Sequence, residues 1–167
     1  AINALTVRES GSARIEGHIR LRDTRPFRTE PRAWLAARKS VFNRIVGEAH
    51  ADSLELAFAA FLESAADVQA FGKNYLAVGF RLDYVRSDGE LSTYTPDFIV
   101  RTTDGTVWVV ETKGREELEL PRKMARLGQW CKDATAAGAE AGAAKPVRFG
   151  FVYVDEEGFK RHKPASF

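Results

Sequence analysis

Cysteine is almost missing from this chain of 167 residues, with Cys131 standing alone. A single thiol excludes an intrachain disulfide and a cysteine-based zinc cluster, and it suits a reducing, cytoplasmic setting. Methionine is as scarce: Met124 is the only one and Ala1 is the first residue, so the chain reads as processed or cut from a longer polypeptide. No apolar run approaches about 18 residues, so neither a transmembrane helix nor a membrane partner is expected. The N-terminus lacks the basic, apolar and small-residue succession of a signal peptide. A Gly-x-x-x-x-Gly-Lys-Ser/Thr loop is absent too, and nucleotide binding by that route with it. His18, His50 and His162 show no metal-ligand spacing.

What is present fits one domain with a sizeable core, at 44% hydrophobic and 29% charged residues. The net charge of +2 hides an asymmetry. Residues 1–50 carry ten Lys/Arg against five Asp/Glu, and the remainder fifteen against eighteen. A basic N-terminal third could face phosphates, or it could be an ordinary solvated surface.

Residues 13–22 alternate, with Ile15, Ile19 and Leu21 on one face and Arg14, His18, Arg20 and Arg22 on the other, which predicts a half-exposed strand. Gly11-Ser12 makes residues 5–8 its hairpin partner. Residues 34–46 suit helix or strand. Residues 52–66 form the clearest helix, on the stripe Leu54, Phe58, Phe61, Leu62 and Ala65. At 100° per residue, Glu63 falls about 155° from the stripe's centre, toward solvent, and Glu55 about 75° away, at its inward edge. Glu55 can equally close a capping box with Asp52. Strands are expected at 68–71 and 79–85, a helix from Leu120 to about Ala137, a loose end at 136–144, a buried strand at 147–154 and a basic tail at 159–167. Cys131 lies in the second helix's apolar stripe, as core. On that helix Lys123 and Trp130 share a face, read as a snorkelling lysine and a half-buried ring.

The chain is organised around residues 94–113. Two apolar, β-branched and aromatic runs, 98–100 and 107–110, flank Asp104-Gly105, a hairpin signal. Asp97 precedes the first run, Glu111 follows the second, and Lys113 shares a strand face with Glu111. A two-residue turn would pair Asp97 with Thr112 and put the two acids on opposite faces. A three-residue loop, 103–105, or a bulge sets Asp97 opposite Glu111, and this second register is the one expected. Two converging carboxylates are hard ligands for Mg²⁺ or Mn²⁺. Lys113 could position or deprotonate a water, or stabilise developing negative charge. The bland alternative is an exposed strand end with an ordinary ion pair. Against it stands the acid closing a strand that looks buried on both faces, which is costly unless paired or liganded.

Pro96-Asp97 and Glu111-Thr112-Lys113-Gly114, preceded by a helix bearing Glu55, resemble the PD-(D/E)XK nuclease superfamily. Leu54-Glu55, Phe58, Asp67-Val68, Lys73-Asn74, Gly79-Phe80, Tyr84 and Tyr94 follow in order. Over residues 38–154 the chain is similar to the endonuclease domain of type III restriction enzyme subunits and related helicase–nuclease proteins. The resemblance implies Asp97, Glu111 and Glu55 as metal ligands with the Thr112 carbonyl, Lys113 as the catalytic lysine, and Mg²⁺ or Mn²⁺ as cofactor. It further implies DNA as substrate, an ATP-dependent motor domain in the full-length chain and a methyltransferase/specificity subunit as partners, with a homodimer among the assemblies allowed. The expected fold is α/β: a central mixed sheet of four or five strands flanked by helices in a restriction-endonuclease-like core, residues 38–167, with an N-terminal β-hairpin extension, residues 1–37. The alternatives are a non-cleaving DNA-binding or docking module on the same fold, and an enzyme acting on RNA.

Overall fold

Residues 19–29, 33–47, 53–113, 118–140 and 145–167 are described in a computed structural model of the chain. In chain order the elements are a 3-10 turn (Leu21–Asp23), β1 (Trp34–Ala36), β2 (Arg44–Val46), α1 (Leu54–Ser64), β3 (Val68–Lys73), β4 (Leu82–Val85), β5 (Leu91–Tyr94), β6 (Phe98–Thr102), β7 (Val107–Lys113), α2 (Leu120–Glu140), β8 (Phe149–Asp155) and α3 (Glu156–His162). The fold is α/β. One mixed sheet has the order β3-β6-β7-β8, antiparallel except for the parallel β7–β8 pair that α2 connects in sequence. The pairs β1–β2 and β4–β5 are separate antiparallel hairpins.

Each face of the sheet carries its own core. On one side α1 lays Phe58 and Leu62 against Phe71, Phe98, Val100 and Val110. On the other, α2 brings Leu127 and Cys131 to Val109, together with Leu82, Tyr84 and Tyr94 of the β4–β5 hairpin. Apolar residues on both faces explain why β7 reads as a nearly continuous apolar run. Burial in the second core pushes the Cys131 thiol up to about 11, which suits packing and not nucleophilic attack. Ser53 is the N-cap of α1, its hydroxyl accepting from the Leu56 N–H. Asp52, the N-cap in the capping-box alternative, lies outside the described residues.

The central hairpin has the expected register. Phe98 faces Val110 and Arg101 faces Val107, so the loop is the three residues 103–105. The Thr102 N–H donates to the Thr106 carbonyl, and Gly105 takes a left-handed φ of 88°. Asp104 braces the loop. It accepts from the Thr102 hydroxyl and from the N–H and hydroxyl of Thr106, which hold its carboxyl down to about 2. A Cβ on Gly105 would meet nothing within 4 Å, so Gly105→Ala tests conformation alone. It is expected to cost about 1 kcal/mol in denaturant melts.

Several expectations are corrected. Residues 13–18, which carry most of the expected N-terminal strand, lie outside the described residues, as do 5–8. Leu21, placed in that strand, instead opens the 3-10 turn. Residues 34–46 resolve into the β1–β2 hairpin. Asp88-Gly89, a turn signal expected to lead straight into the central hairpin, leads instead into an extra strand, β5. Helix α2 runs on through Glu140 into the expected loose end. The strand at 147–154 is half-buried, because β8 is the sheet's edge, with a partner on one side only. The basic tail includes α3, capped by the Asp155 carboxylate and carrying the i,i+4 pair Lys160–Glu156. Glu63 does not simply face solvent, since its carboxylate accepts from the backbone N–H groups of Arg38 and Lys39. Trp130 is half-buried as expected, edge-on to Phe80 and Phe149. No helix among the described residues is long and apolar enough to cross a membrane.

Candidate active site

The end of the sheet opposite the 103–105 loop gathers Asp97, Glu111, Thr112 and Lys113. Strand alternation sends Glu111 to the same face as Val109, and Glu111 is 1% exposed. Its Oε1 lies 3.1 Å from Lys113 Nζ, two residues along the same strand face. Its Oε2 accepts from the Tyr94 hydroxyl at 3.0 Å. Burial above all, then the Asp97 carboxylate nearby, push Glu111 up to about 7, against the pull of Lys113 and the Tyr94 O–H.

Asp97 continues the register toward Glu111, but its side chain leaves the ladder. Its N–H donates to the Val110 carbonyl, and its Oδ2 accepts at 2.7 Å from both the N–H and the hydroxyl of Thr112. Alternation along β7 puts the Thr112 side chain on the face of Val110, toward α1. The Asp97 carboxylate therefore sits at the end of the sheet between its two faces. Burial raises its pKa, while the two Thr112 donors, Lys113 and Lys73 oppose the rise.

Lys73 ends β3 beside Phe98 in register, on the α1 side. Its Nζ donates to Glu55 Oε2 at 2.6 Å and to the Val46 carbonyl at 3.1 Å. Glu55 thus faces inward, as its helix projection requires, but meets a lysine. Among the described residues no three His, Cys, Asp or Glu side chains form a metal-holding group. Of the residues expected at the site, Asp97, Glu111, Thr112 and Lys113 come together, and Glu55 joins them through Lys73.

Sequence reasoning gave no role to Tyr94, and read Lys73-Asn74 as either a loop or a contact to the site. Asn74 is buried; its Nδ2 donates to the carbonyls of Phe80 and Pro96, and its N–H to the Asp97 carbonyl at 2.7 Å. It ties the end of β3 to the backbone that presents Asp97, and its Oδ1 has no hydrogen-bond partner among the described residues. The signal was faint: a Lys-Asn pair closing a strand. Tyr94 lay in the Tyr-Thr-Pro-Asp string, but nothing in that string shows its hydroxyl reaching across to the second acid. Beyond it, Lys123 Nζ lies over the rings of Tyr84 and Tyr94, at 5.9 and 5.6 Å.

The donor set suits a hard divalent ion. With all three ionised, Asp97, Glu111 and Glu55 would outnumber the two ammonium groups, Lys73 and Lys113, by one charge. Burial makes two of the acids, Asp97 and Glu111, resist ionisation, and a bound cation would favour their charged forms. Tyr94→Phe removes a donor that favours the charged form of Glu111. It is expected to weaken Mn²⁺ binding at neutral pH by less than about tenfold, read by calorimetric titration.

No family model, curated protein or solved structure matches the chain.

Proposed function

We propose that this chain is a divalent-metal-dependent nuclease domain of the PD-(D/E)XK type, with a restriction-endonuclease-like core, that hydrolyses DNA phosphodiester bonds. The observation that carries the reading is the pairing of Asp97 with Glu111 at one sheet end, both desolvated and both reached by Lys113. Asp97 and Glu111 would hold Mg²⁺ or Mn²⁺, with the Thr112 carbonyl beside them; the resemblance adds Glu55. The bound ion lowers the pKa of a water and offsets phosphate charge.

The protein's own groups do the rest. Thr112 donates twice to Asp97 Oδ2 and fixes the orientation of the carboxylate. Tyr94 orients Glu111. Lys113, 31% exposed at its side chain, is the group that can meet solvent and substrate. Its ammonium can orient the attacking water or stabilise charge on the phosphate oxygens. Hydrolysis joins the water oxygen to phosphorus and breaks one P–O ester bond, and the departing oxygen takes up a proton.

Arg20, Arg22, Arg25 and Arg28 are exposed on the segment before β1, and Phe27 packs there on Phe42 and Tyr75. These arginines suit sequence-indifferent contact with a DNA backbone. Arg14 and Arg32 lie outside the described residues. The motor domain, the methyltransferase/specificity subunit and a homodimer remain part of the proposal through the resemblance alone. The test is plasmid cleavage with Mg²⁺ or Mn²⁺ by the wild-type chain, Asp97→Ala and Lys113→Ala. Cleavage lost in both variants supports the reading. DNA binding that needs neither metal nor Glu111, with no cleavage, favours a docking module, and cleavage of RNA alone moves the substrate class.

A further inference from the structure

We infer that Glu55 is a positioning residue, and that the Lys73 ammonium it holds supplies the fixed positive charge beside Asp97 that meets the substrate phosphate. The inference rests on the nuclease reading and departs from it at Glu55, which the resemblance makes a metal ligand.

Three observations carry it. First, the Glu55–Lys73 contact is short, at 2.6 Å, and nearly dry: the two side chains are 15% and 13% exposed. Turning Glu55 away to ligate an ion would strand Lys73 without its counter-charge in a desolvated place, a costly change. Second, Lys73 is held in place with capacity to spare. An ammonium has three donors, and among the described residues Glu55 and the Val46 carbonyl take two. Third, the charge count suits one ion. With a single divalent cation the three acids and two lysines total one positive charge, matching one phosphodiester; a second divalent ion would leave three. Lys73 therefore stands where a second cation would otherwise be needed, on the α1 side of Asp97, with Lys113 on the other.

The surroundings extend this line of positive charge. Lys73 Nζ lies 5.6 Å from the centre of the Tyr75 ring, and that ring packs on Phe27 at 5.0 Å. Arg25 and Arg28 flank Phe27 and are exposed.

The experiment compares the wild-type chain, Asp97→Asn, Glu55→Gln, Lys73→Arg and the double variant Glu55→Gln/Lys73→Met. Mn²⁺ binding is read by calorimetry, and binding of a short duplex is read across a salt series without metal. The glutamine keeps an acceptor for Lys73 but is no carboxylate ligand, and the double variant leaves no unpaired buried charge. One Mn²⁺ should bind wild type, vanish in Asp97→Asn, and stay within about threefold in Glu55→Gln and the double variant. The salt slope of duplex binding should fall by about one in the double variant and hold in Lys73→Arg. A tenfold or greater loss of Mn²⁺ affinity in Glu55→Gln makes Glu55 a ligand and overturns the inference, leaving the nuclease reading intact. An unchanged salt slope in the double variant overturns it as well. Wild type showing no Asp97-dependent Mn²⁺ binding would sink the metal-site reading itself, and this inference with it.

Discussion

Asp97→Asn is expected to lower Mg²⁺-supported DNA cleavage by about a thousandfold or more, with the fold intact. The carboxamide has nearly the shape of the carboxylate, and its oxygen can still accept from the Thr112 N–H and hydroxyl. It loses the charge that binds a cation, so substrate and metal affinity should part company: duplex binding at low salt persists while Mn²⁺ binding disappears. Lys113→Met should cost about 10² to 10⁴ in cleavage with Mn²⁺ affinity kept or improved, since a cation beside Glu111 has been removed. Single-turnover cleavage measured beside Mn²⁺ calorimetry separates the two roles. Lys113→Met with wild-type rates would remove the lysine from the chemistry.

The second large effect is on pH. Glu111 is raised to about 7 in the folded chain from an ordinary 4.5, so the folded state holds its proton more tightly than the unfolded state does. The stability this contributes is fully present below about pH 4.5 and is lost as pH rises through about 7, a swing on the order of 3 kcal/mol. Asp97, raised by burial, adds in the same direction. Metal-free protein should therefore melt at a lower temperature at pH 8 than at pH 5. Glu111→Gln should flatten that dependence and raise the melting temperature at pH 8. Mn²⁺ competes with the proton, so its affinity should rise about tenfold per pH unit below 7 and level off above it. Parallel pH–stability profiles for wild type and Glu111→Gln would show that Glu111 is not strained by its surroundings.

Much of this arrangement was legible in the sequence, and the omissions have physical causes. The turn at Asp104-Gly105 left two registers open, and the one expected, and found, is the one that sets Asp97 opposite Glu111. Glu55 could be placed at the inward edge of α1, because helix projection depends on spacing alone. Its partner could not: Lys73 is 18 residues away, and only the packing of α1 on β3 brings the two together. Strand β8 shows the limit of pattern. An apolar run fits an edge or a centre equally, and the order β3-β6-β7-β8 decides between them. Helix α3 was hidden because its short span contains Gly158, whose N–H is the one that the Asp155 cap binds.

The loop at 103–105 has a consequence at the far end of its own strands. Both faces of β6 and β7 are largely apolar, so hydrophobic patterning penalises a one-residue slip only weakly. The loop, through Asp104 and Gly105, therefore counts for more than it would in a one-sided sheet. It sets the parity of the hairpin, odd or even, and parity decides whether Asp97 stands opposite Glu111 or opposite Thr112 in the ladder. Five residues of strand, about 17 Å, separate this counting device from the acids it aligns. Loss of function and loss of stability can thus be uncoupled from a distance: a variant at the tip could keep a well-folded sheet and still present the wrong neighbour at its mouth.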